Sequence, residues 1–99
     1  MTMNTETNFE RLTIDTNPVK LKIISDVYLV YTKRRTYAPA IDVQNVKNKL
    51  TSSIWVSAGS IANVLETQRK QNNGEIIGLE LWFEKEGEDR FAKYKVSEA

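Results

Sequence analysis

The sequence predicts an α+β domain: an antiparallel or mixed sheet of four to five strands, with two helices between the N-terminal strands and a C-terminal hairpin. Two observations predict it. Apolar residues alternate with a period of two at both ends of the chain, in residues 10–32 and 75–96. Between these ends, apolar residues recur at helical spacing in residues 42–72. The 99 residues suit one domain, residues 10–99, preceded by a flexible tail, residues 1–9.

The first part of the chain predicts strands. Residues 10–15 alternate over a short span, and residues 19–32 form the most β-prone stretch. Ser25 and Asp26 interrupt the alternation, so this stretch is either one long strand with a bulge or two strands joined by a tight bend. Residues 33–40 begin with three basic residues and contain Pro39, which predicts a basic loop.

Two helices are predicted in the middle of the chain. Asp42 is a candidate N-cap for a short amphipathic helix ending near Leu50. A second helix follows Ser53, and its predicted apolar stripe contains Ile54, Ala58, Ile61, Ala62 and Leu65. Because Gly59 inside a helix costs roughly 1 kcal/mol relative to alanine, a later start near Ser57 or Ser60 is the alternative. Asn73 and Gly74 predict a C-cap or turn.

Residues 75–96 predict a β-hairpin around Gly87. Its inward face is predicted to contain Ile77, Leu79, Leu81, Ala92, Tyr94 and Val96. A two-residue turn at Glu86-Gly87 places Leu79 opposite Tyr94. A four-residue loop from Glu86 to Asp89 shifts the register by two residues and keeps the same inward face. The sequence therefore predicts which side chains of the hairpin face the core better than it predicts which residues pair across its two strands.

The composition excludes several kinds of chemistry. The chain contains no cysteine and no histidine, which excludes disulfides, thiolate nucleophiles, histidine-dependent triads and zinc sites of the usual ligands. The acidic residues near Gly87 lack the spacing of a calcium loop. We therefore expect a protein that is not an enzyme and holds no metal or cofactor. No apolar run approaches the ~20 residues of a membrane span, and no secretory signal is recognisable, so we expect a cytoplasmic protein without membrane contact.

A candidate nucleic-acid site lies in the predicted basic loop. Lys33, Arg34 and Arg35 lie between Tyr31 and Tyr37, and cations beside aromatic rings suit single-stranded nucleic acid. A solubilising loop is the alternative. A second mode is a winged helix, with the two predicted helices as helix-turn-helix and the hairpin as the wing. The acidic hairpin tip opposes that mode because it would repel phosphates.

A candidate protein interface lies on the sheet face away from the helices. Alternation places Tyr28, Val30, Trp82 and Phe91 on that face. This is more aromatic surface than a solvated sheet face usually shows, so it predicts the interface of a homodimer.

Two stretches, VYLVYTKRRTYAPA and GLELWFEKEGEDRFAKYKV, give the chain a resemblance to a known group. It resembles small proteins of filamentous and rod-shaped viruses, of the lipothrixvirus and rudivirus type, that infect acidothermophilic archaea. The resemblance implies a heat-stable and often dimeric accessory protein in the cytoplasm of the infected host. Such proteins include inhibitors of host CRISPR defence that bind host proteins. The predicted function is protein–protein interaction as a homodimer, with nucleic-acid binding as the alternative.

Overall fold

The computed structural model describes residues 6–31, 36–56, 59–89 and 92–98. Within these residues the elements are β1 (Val19–Ile23), β2 (Tyr28–Tyr31), β3 (Tyr37–Asn45), β4 (Thr51–Trp55), α1 (Gly59–Gln71), β5 (Glu80–Lys85) and β6 (Tyr94–Glu98). The α+β class is confirmed. The described residues hold one helix and six strands, so the predicted two helices and four to five strands are wrong.

All six strands form one open antiparallel sheet with β3 at its centre. Ala40 of β3 pairs with Tyr28 of β2 on one side and with Trp55 of β4 on the other. Val43 of β3 pairs with Ile23 of β1 on the side away from β4. Strands β1 and β2 therefore follow one another along a single edge of β3. Strand β5 pairs with β1, and β6 pairs with β5.

A bulge separates β1 from β2. From Ile23 to Tyr28 this edge advances five residues, whereas β3 advances three, from Val43 to Ala40. The two extra residues are accommodated because Ser25 takes part in the ladder through its side chain: its Oγ accepts the backbone N–H of Asp42 at 2.8 Å. Residues 19–31 therefore contain two collinear strands, separated by a bulge at the predicted interruption.

Helix α1 covers one face of the sheet, and the core lies between them. Ile61 and Leu65 of α1 are buried against inward side chains of the strands. The buried core cluster consists of Ile14, Leu21, Ile23, Ile41, Val43, Ile54, Val56, Ile61, Leu65, Ile76, Leu81 and Phe83. Burying one large apolar side chain contributes about 1.5–3 kcal/mol, so this layer is the main source of stability.

The predicted helix from Asp42 to Leu50 is wrong. Asp42 lies in the middle of β3, and a turn leads into β4 with Lys49 at a φ of 65°. The spacing of Val43 and Val46 suits a helix locally, but β3 is hydrogen-bonded along both edges, and this long-range pairing overrides the local pattern. The winged-helix alternative fails with it, because its first helix is a strand.

The second predicted helix begins later than its apolar stripe suggested. It spans Gly59–Gln71, near the alternative start, while Ile54 belongs to β4 and Ala62 is exposed. The predicted C-cap is confirmed. Asn73 and Gly74 have φ values of 56° and 86°, and the N–H of Gly74 donates to the carbonyl of Arg69 at 2.8 Å.

The C-terminal hairpin forms in a different register from either prediction. Tyr94 lies opposite Lys85, six residues from its predicted partner Leu79. The slip is an even number of residues, so Leu81, Tyr94 and Val96 still face the core. The loop is longer than predicted because Glu86 is the last residue before it, with its N–H bonded to the carbonyl of Lys93 at 2.8 Å.

A turn at Gly78, before β5, changes which of the preceding residues face the core. Gly78 has a φ of 95°, and its N–H donates to the carbonyl of Ile23 at 2.7 Å. The N–H of Ile23 in turn donates to the carbonyl of Leu79 at 2.8 Å. This turn breaks the alternation, so Ile76 is buried and the predicted core residue Ile77 is exposed.

The N-terminal segment does not form the predicted strand over residues 10–15. Arg11 makes a single parallel bridge with Ser53 of β4, while the carbonyl of Asp15 accepts the N–H of Lys85 of β5 at 2.6 Å. Residues 10–15 thus bond first to β4 and then to β5, so they do not pair with either strand over enough residues to form a strand themselves. Their hydrogen bonds nevertheless close the outer edge of β4, because the N–H of Leu12 donates to the Ser53 carbonyl at 2.9 Å.

The predicted basic loop is shorter than expected. Its residues 37–40 belong to β3, including Pro39, and its residues 33–35 lie outside the described residues. Pro39 is tolerated because its backbone faces the side on which β4 has just ended, where its carbonyl still accepts the N–H of Val56 at 3.0 Å.

Candidate interaction surface

Strand β2 is paired along one edge only. The N–H of Val56 donates to Pro39, and the N–H of Asn45 donates to Leu50, which shows that odd-numbered residues of β3 bond towards β4. Even-numbered residues of β3 therefore bond towards β2, and their partners are Tyr28 and Val30. The N–H and C=O of Leu29 consequently point to the free edge, where they have no hydrogen-bond partner in the described part of the chain.

Apolar side chains surround this free edge. On the helix side, Leu29 lies opposite Pro39 and Tyr31 lies opposite Tyr37. The two tyrosine rings pack edge to face, with centroids 5.3 Å apart, and Leu29 is 56% exposed. We call this set the β2 patch; it consists of Val27, Leu29, Tyr31, Tyr37 and Pro39.

The β2 patch lies beyond the reach of α1. The helix is held at its C-terminal end by Arg69, whose Nη2 lies 3.0 Å from Oδ1 of Asp26 in the bulge before β2. Strand β5 does not cover the patch either, because the chain turns at Gly78 before it could pair with β2. The pair β2–β3 therefore projects past the covering layer, with an apolar face and a free strand edge side by side.

The other outer edges of the sheet are protected. The N-terminal segment covers the outer edge of β4 through hydrogen bonds to the backbone of Ser53. The outward-facing backbone of β6 begins at Tyr94, whose N–H donates to Oγ of Ser60 at 3.3 Å. Beyond Tyr94, β6 carries exposed Lys95 and Glu98, and charged side chains on an edge strand oppose pairing with another chain. Among the described strands, only β2 combines a free edge with a large apolar side chain that is exposed, Leu29.

The opposite face of β2 is closed by the N-terminal segment. The backbone N–H of Asn8 donates to the hydroxyl of Tyr28 at 3.0 Å, and that of Phe9 donates to Oγ of Ser53 at 3.0 Å. Val30, on the same face, is only 2% exposed. The free surface of β2 is therefore its edge and its helix-side face.

A buried polar cluster lies under this segment, around Asp42. Oδ1 of Asp42 accepts the hydroxyls of Tyr28 at 2.6 Å and of Ser53 at 2.7 Å, and Oδ2 accepts the Asn8 amide at 2.8 Å. The Tyr28 and Ser53 oxygens are 3.2 Å apart, but each hydroxyl has one hydrogen and directs it to the carboxylate. Burial, and then the hydrogen bond to Asp42, raise the pKa of Tyr28 above its ordinary value.

This cluster is suited to holding the fold together rather than to catalysis. Asp42 is 4% exposed and Ser53 is fully buried, so no substrate reaches either group. The three side-chain donors compensate the buried carboxylate without a cation. Across the residues that the structure describes, no three acidic side chains come together as a metal site. Helix α1 has 13 residues, and no helix among the described residues is long and apolar enough to cross a membrane.

The predicted aromatic interface is not one continuous patch. Tyr28, Val30 and Trp82 share the face away from α1, and Phe91 lies outside the described residues. Trp82 is 40% exposed and pairs with Lys20 of β1. Lys20 lies opposite Val46, six positions along β3 from the partner of Tyr28, so Trp82 and Tyr28 are about 20 Å apart.

Of the predicted nucleic-acid site, the structure describes the two tyrosines, which are in contact, and not the three basic residues. Tyr31 and Tyr37 form the edge-to-face pair that ends the β2–β3 ladder, so they flank the connection between these strands. That connection contains Lys33, Arg34 and Arg35, which lie outside the described residues.

Sequence reasoning missed the Asp42 cluster and the free edge at Leu29. A signal for the first was present at Asp42, which interrupts the apolar run of Ala40, Ile41 and Val43, because a polar residue in such a run requires a buried partner. No local sequence pattern indicates the free edge of β2. That edge stays free because the chain turns at Gly78 and β5 pairs with β1 alone.

These features define the class of protein: a small α+β domain with one free, apolar sheet edge and a closed polar cluster. No family model, no curated protein and no solved structure matches this chain. The resemblance to small viral proteins stays a prediction.

Proposed function

We propose that the protein is a non-enzymatic protein-interaction module that acts as a homodimer through the free edge of β2. The observation that carries the proposal is the outward N–H and C=O of Leu29 beside the exposed apolar side chains of the β2 patch. A strand edge of this kind binds another strand through main-chain hydrogen bonds, while neighbouring side chains supply apolar contact.

A second copy of the chain suits this edge. Antiparallel pairing about a two-fold axis at Leu29 places this residue opposite Leu29 of the partner subunit, so the outward N–H and C=O groups of the two residues bond to each other. Such an interface is self-complementary and closes after two copies. The combined sheet would end at the two β6 strands, whose charged residues oppose further growth. The ladder is short, and each cross-strand pair contributes roughly 0.2–1 kcal/mol, so we expect dimerisation to depend on concentration.

Amide hydrogen exchange, followed residue by residue, tests the edge. Leu29 and Val30 are neighbours, but only Val30 directs its N–H to β3. The Val30 amide should be protected at every protein concentration, and the Leu29 amide should become protected only as concentration rises. Fast exchange of Leu29 at all concentrations, with Val30 protected, would rule out strand pairing at this edge.

The resemblance to viral accessory proteins extends this proposal to a host partner. A protein of that group would act in the cytoplasm of the infected cell by binding a host protein, for example of a defence complex. The β2 edge is the surface we assign to that contact. Purified candidate host proteins should then compete with dimerisation, and binding that is unaffected by Leu29→Lys would remove β2 from the contact.

Nucleic-acid binding is the second candidate function, favoured by the pairing of Tyr31 with Tyr37 beside the basic connection. Aromatic rings stack on bases, and cations contact phosphates. A low-salt gel-shift assay on single strands should show binding that is lost when Lys33, Arg34 and Arg35 are all changed to alanine. The control changes the exposed Lys47, Lys49 and Lys70 to alanine. Equal binding by both variants, or binding insensitive to salt, opposes this function.

A further inference from the structure

The turn that ends α1 contains the dipeptide Asn73-Gly74, and both residues are exposed. The chain has eight asparagines, and only Asn73 precedes a glycine. Glycine has no Cβ, so its backbone nitrogen is the least shielded neighbour that an asparagine side chain can have. A Cβ built on Gly74 would meet no atom within 4 Å, so the space around this nitrogen is open. The two groups of an intramolecular ring closure are therefore adjacent and accessible.

The cap of α1 holds this nitrogen in a hydrogen bond. Asn73 has a φ of 56°, and the N–H of Gly74 donates to the carbonyl of Arg69 at 2.8 Å, which is the long bond of a Schellman motif. The N–H of Glu75 donates to the carbonyl of Asn72 at 3.1 Å, and the Asn72 side-chain amide donates to the carbonyl of Glu75 at 3.0 Å. The nitrogen of Gly74 acts as a nucleophile only after losing its hydrogen, and the closed cap holds that hydrogen against Arg69.

We propose that Asn73 is a site of spontaneous covalent modification, and that opening of the α1 cap controls its rate in the folded protein. The backbone nitrogen of Gly74 bonds to Cγ of Asn73. The bond from Cγ to the side-chain nitrogen breaks, and that nitrogen leaves as ammonia with the proton lost by Gly74. Water then hydrolyses the cyclic succinimide at either carbonyl, which gives aspartate or isoaspartate. The proposal does not depend on dimerisation, because residues 72–75 lie outside the β2 patch.

The modification loosens the end of α1. It replaces a neutral amide by a carboxylate beside the last carbonyls of the helix, where the macrodipole disfavours negative charge. Isoaspartate also carries the backbone through Cβ, so the chain between residues 73 and 74 becomes longer and the cap geometry is lost. Arg69 supplies the capping carbonyl and also pairs with Asp26 at 3.0 Å, so a loosened turn weakens the contact between α1 and the bulge before β2. Asn73→Asp, which reproduces the linear product, should lower the ratio of folded to unfolded chain by about two- to fivefold.

Peptide mass spectrometry after digestion measures the modification in the full chain, incubated at mildly alkaline pH with and without urea. Chromatography of the same peptides separates aspartate and isoaspartate from asparagine at each position. The unfolded chain should react at Asn73 before any other asparagine. The folded chain should react at the same residue more slowly, by about two- to tenfold, which is the factor that corresponds to one net hydrogen bond.

Substitutions separate the effect of the cap from the chemistry of the side chain. Asn72→Ala removes the side-chain bond across the turn, so it should speed the reaction of the folded chain by about two- to tenfold and leave the rate in urea unchanged. Asn73→Gln should abolish the reaction at this position, because its longer side chain must close a larger ring. Asn17→Ala is the control, since this exposed asparagine precedes Pro18, which has no N–H, and it should leave the rate at Asn73 unchanged.

Three outcomes would overturn the proposal. Equal rates at Asn73 in the folded and the unfolded chain would show that the cap does not control the reaction. A folded chain that stays unmodified while the unfolded chain reacts completely would show that the folded protein is not a substrate of its own chemistry. An Asn72→Ala chain that reacts at the native rate when folded would remove the role of the turn. The first two outcomes use no variant, so they hold even if a substitution disturbs the fold.

Discussion

The hydroxyl of Tyr28 donates a hydrogen bond of 2.6 Å to Oδ1 of Asp42, linking β2 to β3 beside the bulge. Ser53 of β4 donates to the same oxygen, so one carboxylate joins three strands. Asn8 adds the N-terminal segment through Oδ2. The face of β2 that carries Tyr28 is therefore committed to intramolecular contacts, which leaves the strand edge and the helix-side face for a partner.

Removing the carboxylate should destabilise the fold strongly. Asp42→Ala leaves the hydroxyls of Tyr28 and Ser53 without their acceptor, and each unsatisfied buried group costs about 1–3 kcal/mol. We expect a total loss of about 3 kcal/mol or more in the free energy of unfolding, measured by urea denaturation. Glu80→Ala, an exposed strand position, is the control and should change stability by less than about 0.5 kcal/mol. Equal effects of the two substitutions would contradict the structural role of the cluster.

Tyr28 should ionise at a higher pH than an ordinary tyrosine. Its pKa is raised, so the neutral phenol is favoured in the folded state. The resulting stabilisation is complete below the ordinary tyrosine pKa of about 10 and is lost as pH rises through the raised value. An absorbance titration of the four tyrosines should contain a late component that Tyr28→Phe removes. A variant curve that is only smaller, with the same shape, would show that Tyr28 is not the late group.

Gly78 should be sensitive to alanine substitution for backbone reasons alone. Its φ of 95° is unfavourable for residues with a Cβ, although an added Cβ would meet no atom within 4 Å. We expect Gly78→Ala to cost about 1–2 kcal/mol in thermal or urea unfolding. Gly59→Ala also meets no atom within 4 Å and lies at the start of α1 without a positive φ, so it should cause no loss. Equal stability of the two variants would contradict a positive φ at residue 78.

The sequence predicts which side chains of the C-terminal hairpin face the core, but it does not predict which residues pair across the two strands. Leu81, Tyr94 and Val96 face the core as alternation requires, because even slips preserve the inward set. The register depends on where the loop closes and on the bend at Gly78, which is fixed by backbone hydrogen bonds to Ile23. Those bonds join residues more than fifty positions apart, so no local pattern reveals them.

The wrong prediction of a helix from Asp42 to Leu50 also results from contacts between distant residues. Val43 and Val46 satisfy helical spacing, and Asp42 is a common N-cap residue, yet the stretch is the most highly paired strand of the sheet. Its helix propensity is weaker than the hydrogen bonds along its two edges. The exposure of Leu29 was equally out of reach from sequence, since it follows from the end of α1 at Gln71 and from the turn at Gly78.

The mass of the protein in solution tests the proposed function most directly, by sedimentation at increasing concentration. The native chain should approach twice the 11.4 kDa of one copy. Leu29→Lys should remain a monomer, because it places a charge in the pairing edge. Leu50→Lys makes the same change in the turn between β3 and β4, at a position 66% exposed, and should dimerise like the native chain. A native chain that stays monomeric throughout, or a Leu29→Lys variant that dimerises as well as the native chain, would contradict dimerisation through the β2 edge.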